Sequence, residues 1–171
     1  MNNHLGPLEL VAGSWVIGDP SGDHIRFEQG GLSHWAGGTA APPVSWTLLK
    51  DLRIEVVATR LGNSKGFVWT VGFMANLSGA SYSRGGPARL MSDLSDVRRY
   101  WEAEFRHHAR RYPYREIRLL SGFLRQVVAR GEASRLGDPA WVSTVVERLR
   151  GTPRSLPWKR KAAIKQILDN C

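Results

Sequence analysis

The stretch "EFRHHARRYPYR" at residues 104–115 sets a carboxylate, two adjacent imidazoles and several guanidiniums around a proline. Three chemistries use such residues: metal ligation, acid–base catalysis and anion binding. On a helix, Glu104 and His108 would share a face at four-residue spacing and form one carboxylate–imidazole pair. His107 and His108 would project about 100° apart and could not close on one metal. A bundle-type di-iron centre needs two Glu-x-x-His sets and further glutamates, and Glu104–His107 supplies a single set. His108 also falls on an apolar stripe, which favours a packed histidine over a ligand. His24 and His34 have no aspartate, serine or cysteine at a recognisable catalytic spacing. No nucleophile elbow or two-metal carboxylate cluster is found. The expectation is a protein that is not an enzyme, with no catalytic residue, metal or cofactor. The glycine-rich "SGASYSRGGPAR", with Arg84 and Arg89, lacks the Gly-x-x-x-x-Gly-Lys-Ser/Thr pattern of a phosphate cradle and reads as a linker.

Anion binding is the chemistry that survives, because the charge is uneven. Residues 1–50 hold two basic and four acidic groups, and the three segments 51–100, 101–150 and 151–171 carry +3, +4 and +4 towards the total of +9. A basic second half suits nucleic acid or an acidic lipid surface. Arginine makes up 19 of the 24 basic residues, a bias that a soluble arginine-rich protein also shows. Two basic surfaces are expected. One is a helix bearing Arg98, Arg99, Arg106, Arg110 and Arg111, diluted by Glu102 at i,i+4 from Arg98 and Arg106. The other is the segment with Arg154, Trp158, Lys159, Arg160, Lys161 and Lys165. Its alternative role is a solvated helix docked through Ile164 and Leu168. A DNA-reading helix-turn-helix is disfavoured, since seven residues, "GEASRLG", separate the helices of 117–149, and few outward side chains there read bases.

Those residues need elements to hold them. Up to about residue 77 the pattern has period two, which predicts an antiparallel meander of about six strands. Ile25 and Phe27 alternate with His24, Arg26 and Glu28, and Gly30–Gly31 is expected to supply positive-φ turn positions before "LSHWA". "PVSWTLL" places Val44, Trp46 and Leu48 on one side, followed by "LRIEVVATR", the turn "LGNSKG" and "FVWTVGFMA". From Leu90 the recurrence of Leu94, Val97, Trp101, Phe105, His108 and Tyr112 predicts a helix over 93–112, capped by Ser92 or Asp93 and ended by Pro113. Ile117 to Val128 predict a second helix stopping at Gly131. "GDPAWVSTVVERLRG" predicts a third, with Asp138 as N-cap, Pro139 at the first position and Gly151 as terminator. "LPWKRKAAIKQILDN" predicts a fourth. Strands first and helices afterwards give an α+β class, an antiparallel curved sheet or partly open barrel covered by a helix, then a small helical segment.

"HIRFEQGGLSHWAGG…PVSWTLLKDLRIEVV" resembles a bacterial pleckstrin-homology-like (PH-like) domain, on Gly30, Gly31, Leu32, Val44, Trp46, Leu49 and Ile54. The resemblance implies a bent, near-barrel sheet over about residues 8–112, closed by the helix at 93–112. It divides the chain into a PH-like domain at 1–112, with a linking loop at 76–92, and a helical extension at 113–171. It implies a binding or scaffolding role towards a protein or peptide partner or an acidic lipid, with nucleic acid as the alternative. The strand edge near "VSWTLLKDLR" would serve a peptide, and Lys50, Arg53, Arg60 and Lys65 would meet an anionic headgroup. A free edge also permits a homodimer. Cys171 is the single cysteine, no run of about 20 apolar residues occurs, and the start lacks a secretion-signal pattern, so a cytoplasmic protein is expected.

Overall fold

In the computed structural model, residues 4–56, 88–95, 100–110, 112–153 and 157–171 are described, with Pro157 and Trp158 described in backbone only. The expected strands 57–77 and the linker through residue 87 therefore lie outside the described residues, as do Arg60, Lys65, Arg98, Arg99, Arg111 and Arg154.

Seven short strands make the first sheet: β1 (His4–Leu5), β2 (Leu8–Val11), β3 (Ser14–Ile17), β4 (His24–Glu28), β5 (Gly31–Ala36), β6 (Thr39–Ala40) and β7 (Val44–Ser45). Strands β1 to β6 pair antiparallel in chain order, and β7 pairs with β5. Left-handed backbone sets two of the reversals. Ala12 and Gly13 (φ 48° and 80°) turn β2 into β3, and Gly37 and Gly38 (φ 57° and 79°) turn β5 into β6. Both hairpins have two successive positive φ values, the twist that a two-residue turn needs. Leu8, Trp15, Ile17, Ile25, Phe27 and Leu32 fill the core.

The expected role of Gly30–Gly31 is corrected. Neither residue lies in the left-handed region. Gly31 is required for space: a Cβ there would sit 2.1 Å from the Val44 carbonyl oxygen, where β7 crosses close to β5. Gly31→Ala is expected to cost about 2–3 kcal/mol, since the obstacle is backbone that must shift. The urea midpoint measures this; an unchanged midpoint would show that β7 yields freely.

The strand expected through Trp46 and Leu48 is a 3-10 turn, Trp46–Leu48, because the Ser45 side chain accepts from the Thr47 amide and ends β7. Trp46 is buried, and its Nε1 donates to the Glu28 carbonyl at 2.9 Å. Among the described residues a second, three-stranded antiparallel sheet follows, β10-β9-β8, from β8 (Arg53–Glu55), β9 (Ala88–Asp93) and β10 (Tyr100–Phe105).

That second sheet overturns the helix expected over 93–112. The sequence "YWEAEF" has period two: Ala103 and Phe105 are buried, Trp101 is half-buried, and Tyr100, Glu102 and Glu104 are exposed. Trp101 and Phe105 satisfy both a four-residue and a two-residue repeat, and Ala103 between them decides for the strand. Ser92 is no cap; it is fully buried in β9, and its hydroxyl donates to the Asp51 carbonyl.

The helices follow expectation. Helix α1 (Tyr114–Ala129) starts after Pro113, and Gly131 (φ 72°) follows its end. A 3-10 segment, Ala133–Gly137, leads to α2 (Pro139–Gly151). There the Asp138 carboxylate accepts from the Ala140 and Trp141 amides, as an N-cap should. Helix α3 (Pro157–Asp169) buries Ile164 and Leu168. The structure is thus α+β with open antiparallel sheets. Helix α1, not residues 93–112, packs against β1 and β8. One continuous cluster of buried side chains runs from Leu5 to Leu168. Among the described residues no helix is long and apolar enough to cross a membrane.

Candidate functional site

Residues 106–110 and Tyr112, which follow β10, meet the first sheet. Arg106 begins this joint with its backbone: its amide donates to the Asp23 carbonyl (2.7 Å), and its carbonyl accepts from the Asp19 amide (2.8 Å). Its exposed side chain lies against Gly22, where a Cβ would come 2.5 Å from the Arg106 Cδ.

The two histidines bracket Tyr112. His107 stacks on its ring at 5.6 Å. The Tyr112 hydroxyl accepts from the His108 amide at 2.9 Å and lies 2.6 Å from His108 Nδ1. Nε2 faces Glu9 Oε1 at 3.2 Å, an ion-pair distance without hydrogen-bond alignment. The other Glu9 oxygen takes Arg110 at 2.6 Å. The carboxylate partner of His108 is therefore Glu9 on β2, not Glu104, which lies on β10 and pairs with Arg89 at 3.4 Å. Ninety-nine residues separate Glu9 from His108, so no local pattern could announce the pair.

This Tyr112–His108–Glu9–Arg110 chain closes on itself. The His108 side chain is 7% exposed, and burial pushes the Tyr112 phenol above its usual range, away from a nucleophilic phenolate. The arrangement ties His108 and Arg110 to strand β2 through Glu9. Among the described residues no three His, Cys, Asp or Glu side chains converge for a metal.

The joint has a pH signature. Burial lowers both imidazoles below their usual value, reinforced at His107 by His108, and at His108 by Arg110 against the opposing Glu9. The unfolded chain then binds protons that the folded chain resists, so stability is full above about pH 6.5 and falls as pH drops below it. The expected result is a urea midpoint that declines from pH 7.5 to 5.5, with a weaker decline in His108→Gln. Equal slopes in both proteins would remove His108 from the account.

Among the described cations, expected as anion-binding or not, some are held by carboxylates and others are exposed. Arg53 lies on β8 between Asp51 (2.8 Å) and Asp93 (3.1 Å). Arg110 is held by Glu9, Arg89 by Glu102 and Glu104, Arg130 by Glu132 and Asp169, and Arg135 by Glu132. Arg106 and Arg110 do not form the expected helical face, because that helix is absent. Lys50 and Arg106 are exposed singly in the sheet half.

On α3, Lys159, Lys161 and Lys165 are exposed, and Arg160 is half-exposed. The Trp158 side chain is outside the described set. Gln126 of α1 donates to the Lys161 carbonyl at 3.2 Å, and exposed Arg125 precedes it in sequence. The sequence reading did not single out Arg125, and the α1–α3 contact through Gln126 is tertiary and has no local signal. The chain matches no family model, no curated protein and no solved structure.

Proposed function

We propose that this chain is a non-enzymatic binding domain for nucleic acid, which it meets through the exposed cations of α1 and α3. One observation carries the reading. Arg53, Arg89 and Arg110 of the sheet half are held by carboxylates, whereas Arg125, Lys159, Lys161 and Lys165 have no carboxylate at ion-pair distance among the described residues. The helical acids Glu132 and Asp169 are bound to arginines, Asp138 caps α2, and Glu116 accepts from the Gly6 amide. Uncompensated charge on one pair of packed helices is what a phosphate backbone selects.

An acidic membrane surface is less well supported. An interfacial helix needs a free apolar face, and α3 turns Ile164 and Leu168 into the core while its exposed positions include Lys159, Lys161, Ala162, Lys165 and Gln166. The PH-like reading of a peptide added at a sheet edge draws on residues 44–53, where Val44–Ser45 is a two-residue strand, Trp46–Leu48 is a 3-10 turn, and Arg53 is tied to two aspartates. A cytoplasmic location fits the nucleic-acid reading and is part of the proposal.

Four phosphate contacts predict a log–log salt slope of about −3 to −4 on duplex DNA, or roughly 10²-fold weaker binding from 50 to 200 mM salt. Fluorescence anisotropy measures this slope. Lys161→Glu with Lys165→Glu should reduce the slope and abolish binding at physiological salt. Unchanged binding by that double variant would overturn the placement on α3.

A further inference from the structure

The face of β4 and β5 turned away from Ile25, Phe27 and Leu32 holds a second feature that the joint and the basic helices do not use. Residues opposite each other on paired strands share a face, and the registers give two rows: His24–Trp35–Ala40 across β4, β5 and β6, and Arg26–Ser33 across β4 and β5. Trp35 is half-buried and fixed in orientation. Its Nε1 donates to the Ser33 hydroxyl at 3.1 Å, which in turn donates to Glu28 at 2.5 Å.

The ring is approached unequally from its two sides. From β4, the His24 imidazole stacks at 5.8 Å and 10° from parallel, and the Arg26 guanidinium sits 4.8 Å from the ring centroid. From β6, the register neighbour is Ala40, an exposed methyl group, beside a Gly37–Gly38 turn with nothing within 4 Å of either Cβ position. Among the described residues Arg26, half-buried, has no ion pair, Glu28 on the same face is engaged by Ser33, and His24 is 7% exposed with Nε2 without a hydrogen-bond partner.

A rigid indole with one side towards small neighbours, backed by a guanidinium that has no ion pair among the described residues, matches a nucleotide: the base takes the π-face and the phosphate takes the cation. We infer that Trp35, with Arg26, forms a stacking platform for an unpaired base, so that the preferred ligand is single-stranded nucleic acid. This rests on the nucleic-acid reading above and adds strand selectivity to it. A duplex buries the faces of its bases and offers the platform nothing, whereas the lysines of α3 meet either form.

The test uses the full chain, a 12-nucleotide single strand carrying one 2-aminopurine, and a duplex of the same sequence. Wild-type protein should bind the single strand more tightly than the duplex and quench the 2-aminopurine. Trp35→Ala should weaken single-strand binding about tenfold or more, leave the duplex unchanged, and lose the quenching. Trp35→Phe, which keeps a ring in the same place, should restore most of the affinity and guards against a folding defect. Arg26→Gln should weaken single-strand binding with the ring intact. If Trp35→Ala bound both forms like wild type while Lys161→Glu with Lys165→Glu weakened both, the platform would be wrong and the charge reading would stand. If wild type bound neither form at 50 mM salt, the nucleic-acid reading itself would fall, and the platform with it.

Discussion

Truncation after Gly151 is expected to lower the melting temperature by roughly 10–20 °C, or to prevent folding altogether. Helix α3 is seated in the core. Ile164 and Leu168 are 1% and 2% exposed, and the Ile164 side chain occupies the space over Gly122, where a Cβ would come 2.7 Å from it. Burying two such side chains is worth about 1.5–3 kcal/mol each. Four polar ties add to this: Gln126 to the Lys161 carbonyl, Arg130 to the Asp169 carboxylate, Arg148 to the Asn170 carbonyl and Arg135 to the Cys171 carbonyl. Removal exposes the apolar surface of α1 that α3 covers and strands those donors. The total of about 5 kcal/mol is comparable with the whole stability of many domains, and at this size each kcal/mol shifts the midpoint by about 2–4 °C. Thermal denaturation followed at 222 nm gives the answer, and a midpoint within 3 °C of wild type would show that α3 is an appendage. The consequence for function is practical. Loss of nucleic-acid binding on truncation would report unfolding, so the charge-reversed lysines, which are exposed and leave the core intact, are the informative variants.

That result bears on what the residues disclose by themselves. The α1, α2 and α3 boundaries were legible because their signals are local: Pro113, the Asp138–Pro139 cap, and the terminating glycines act within one turn of the element they bound. The helix expected over 93–112 failed for an equally local reason. Trp101 and Phe105 fit two periods at once, and the small side chain of Ala103 hid the shorter one. The candidate site was only half legible. Exposed Lys159 and Lys161 were visible as a charge run. Their availability was not, because it depends on carboxylates distant in sequence that neutralise the competing arginines: Glu9 for Arg110, Asp93 for Arg53, Asp169 for Arg130. Nothing local marks such pairs. Trp35 read as one strand residue among several, and only the register that sets His24 on one side of it and Ala40 on the other gives it a chemical part.

Trp15→Ala should cost about 3–5 kcal/mol, the range for emptying an aromatic site in a packed core. Trp15 is 1% exposed on β3, and its Nε1 donates to the Pro139 carbonyl at the start of α2, 3.1 Å away, which joins the first sheet to the helices. Trp15→Phe separates the two contributions. It keeps a buried ring but loses the hydrogen bond, and the Pro139 carbonyl is not orphaned, because the Ser143 hydroxyl also donates to it at 2.6 Å. Its expected cost is therefore only about 1–2 kcal/mol. The two variants also ask whether sheet and helices melt together. With Leu5, Trp15, Leu120, Val142 and Leu168 in one buried cluster, Trp15→Ala should lower the helical signal at 222 nm and the tryptophan fluorescence in a single coincident transition. Helices that kept the wild-type midpoint while the fluorescence transition moved down would mean two units that fold apart. The α3 cations would then sit on a body independent of the Trp35 face, and the charge-reversal and platform variants would have to be measured on each separately.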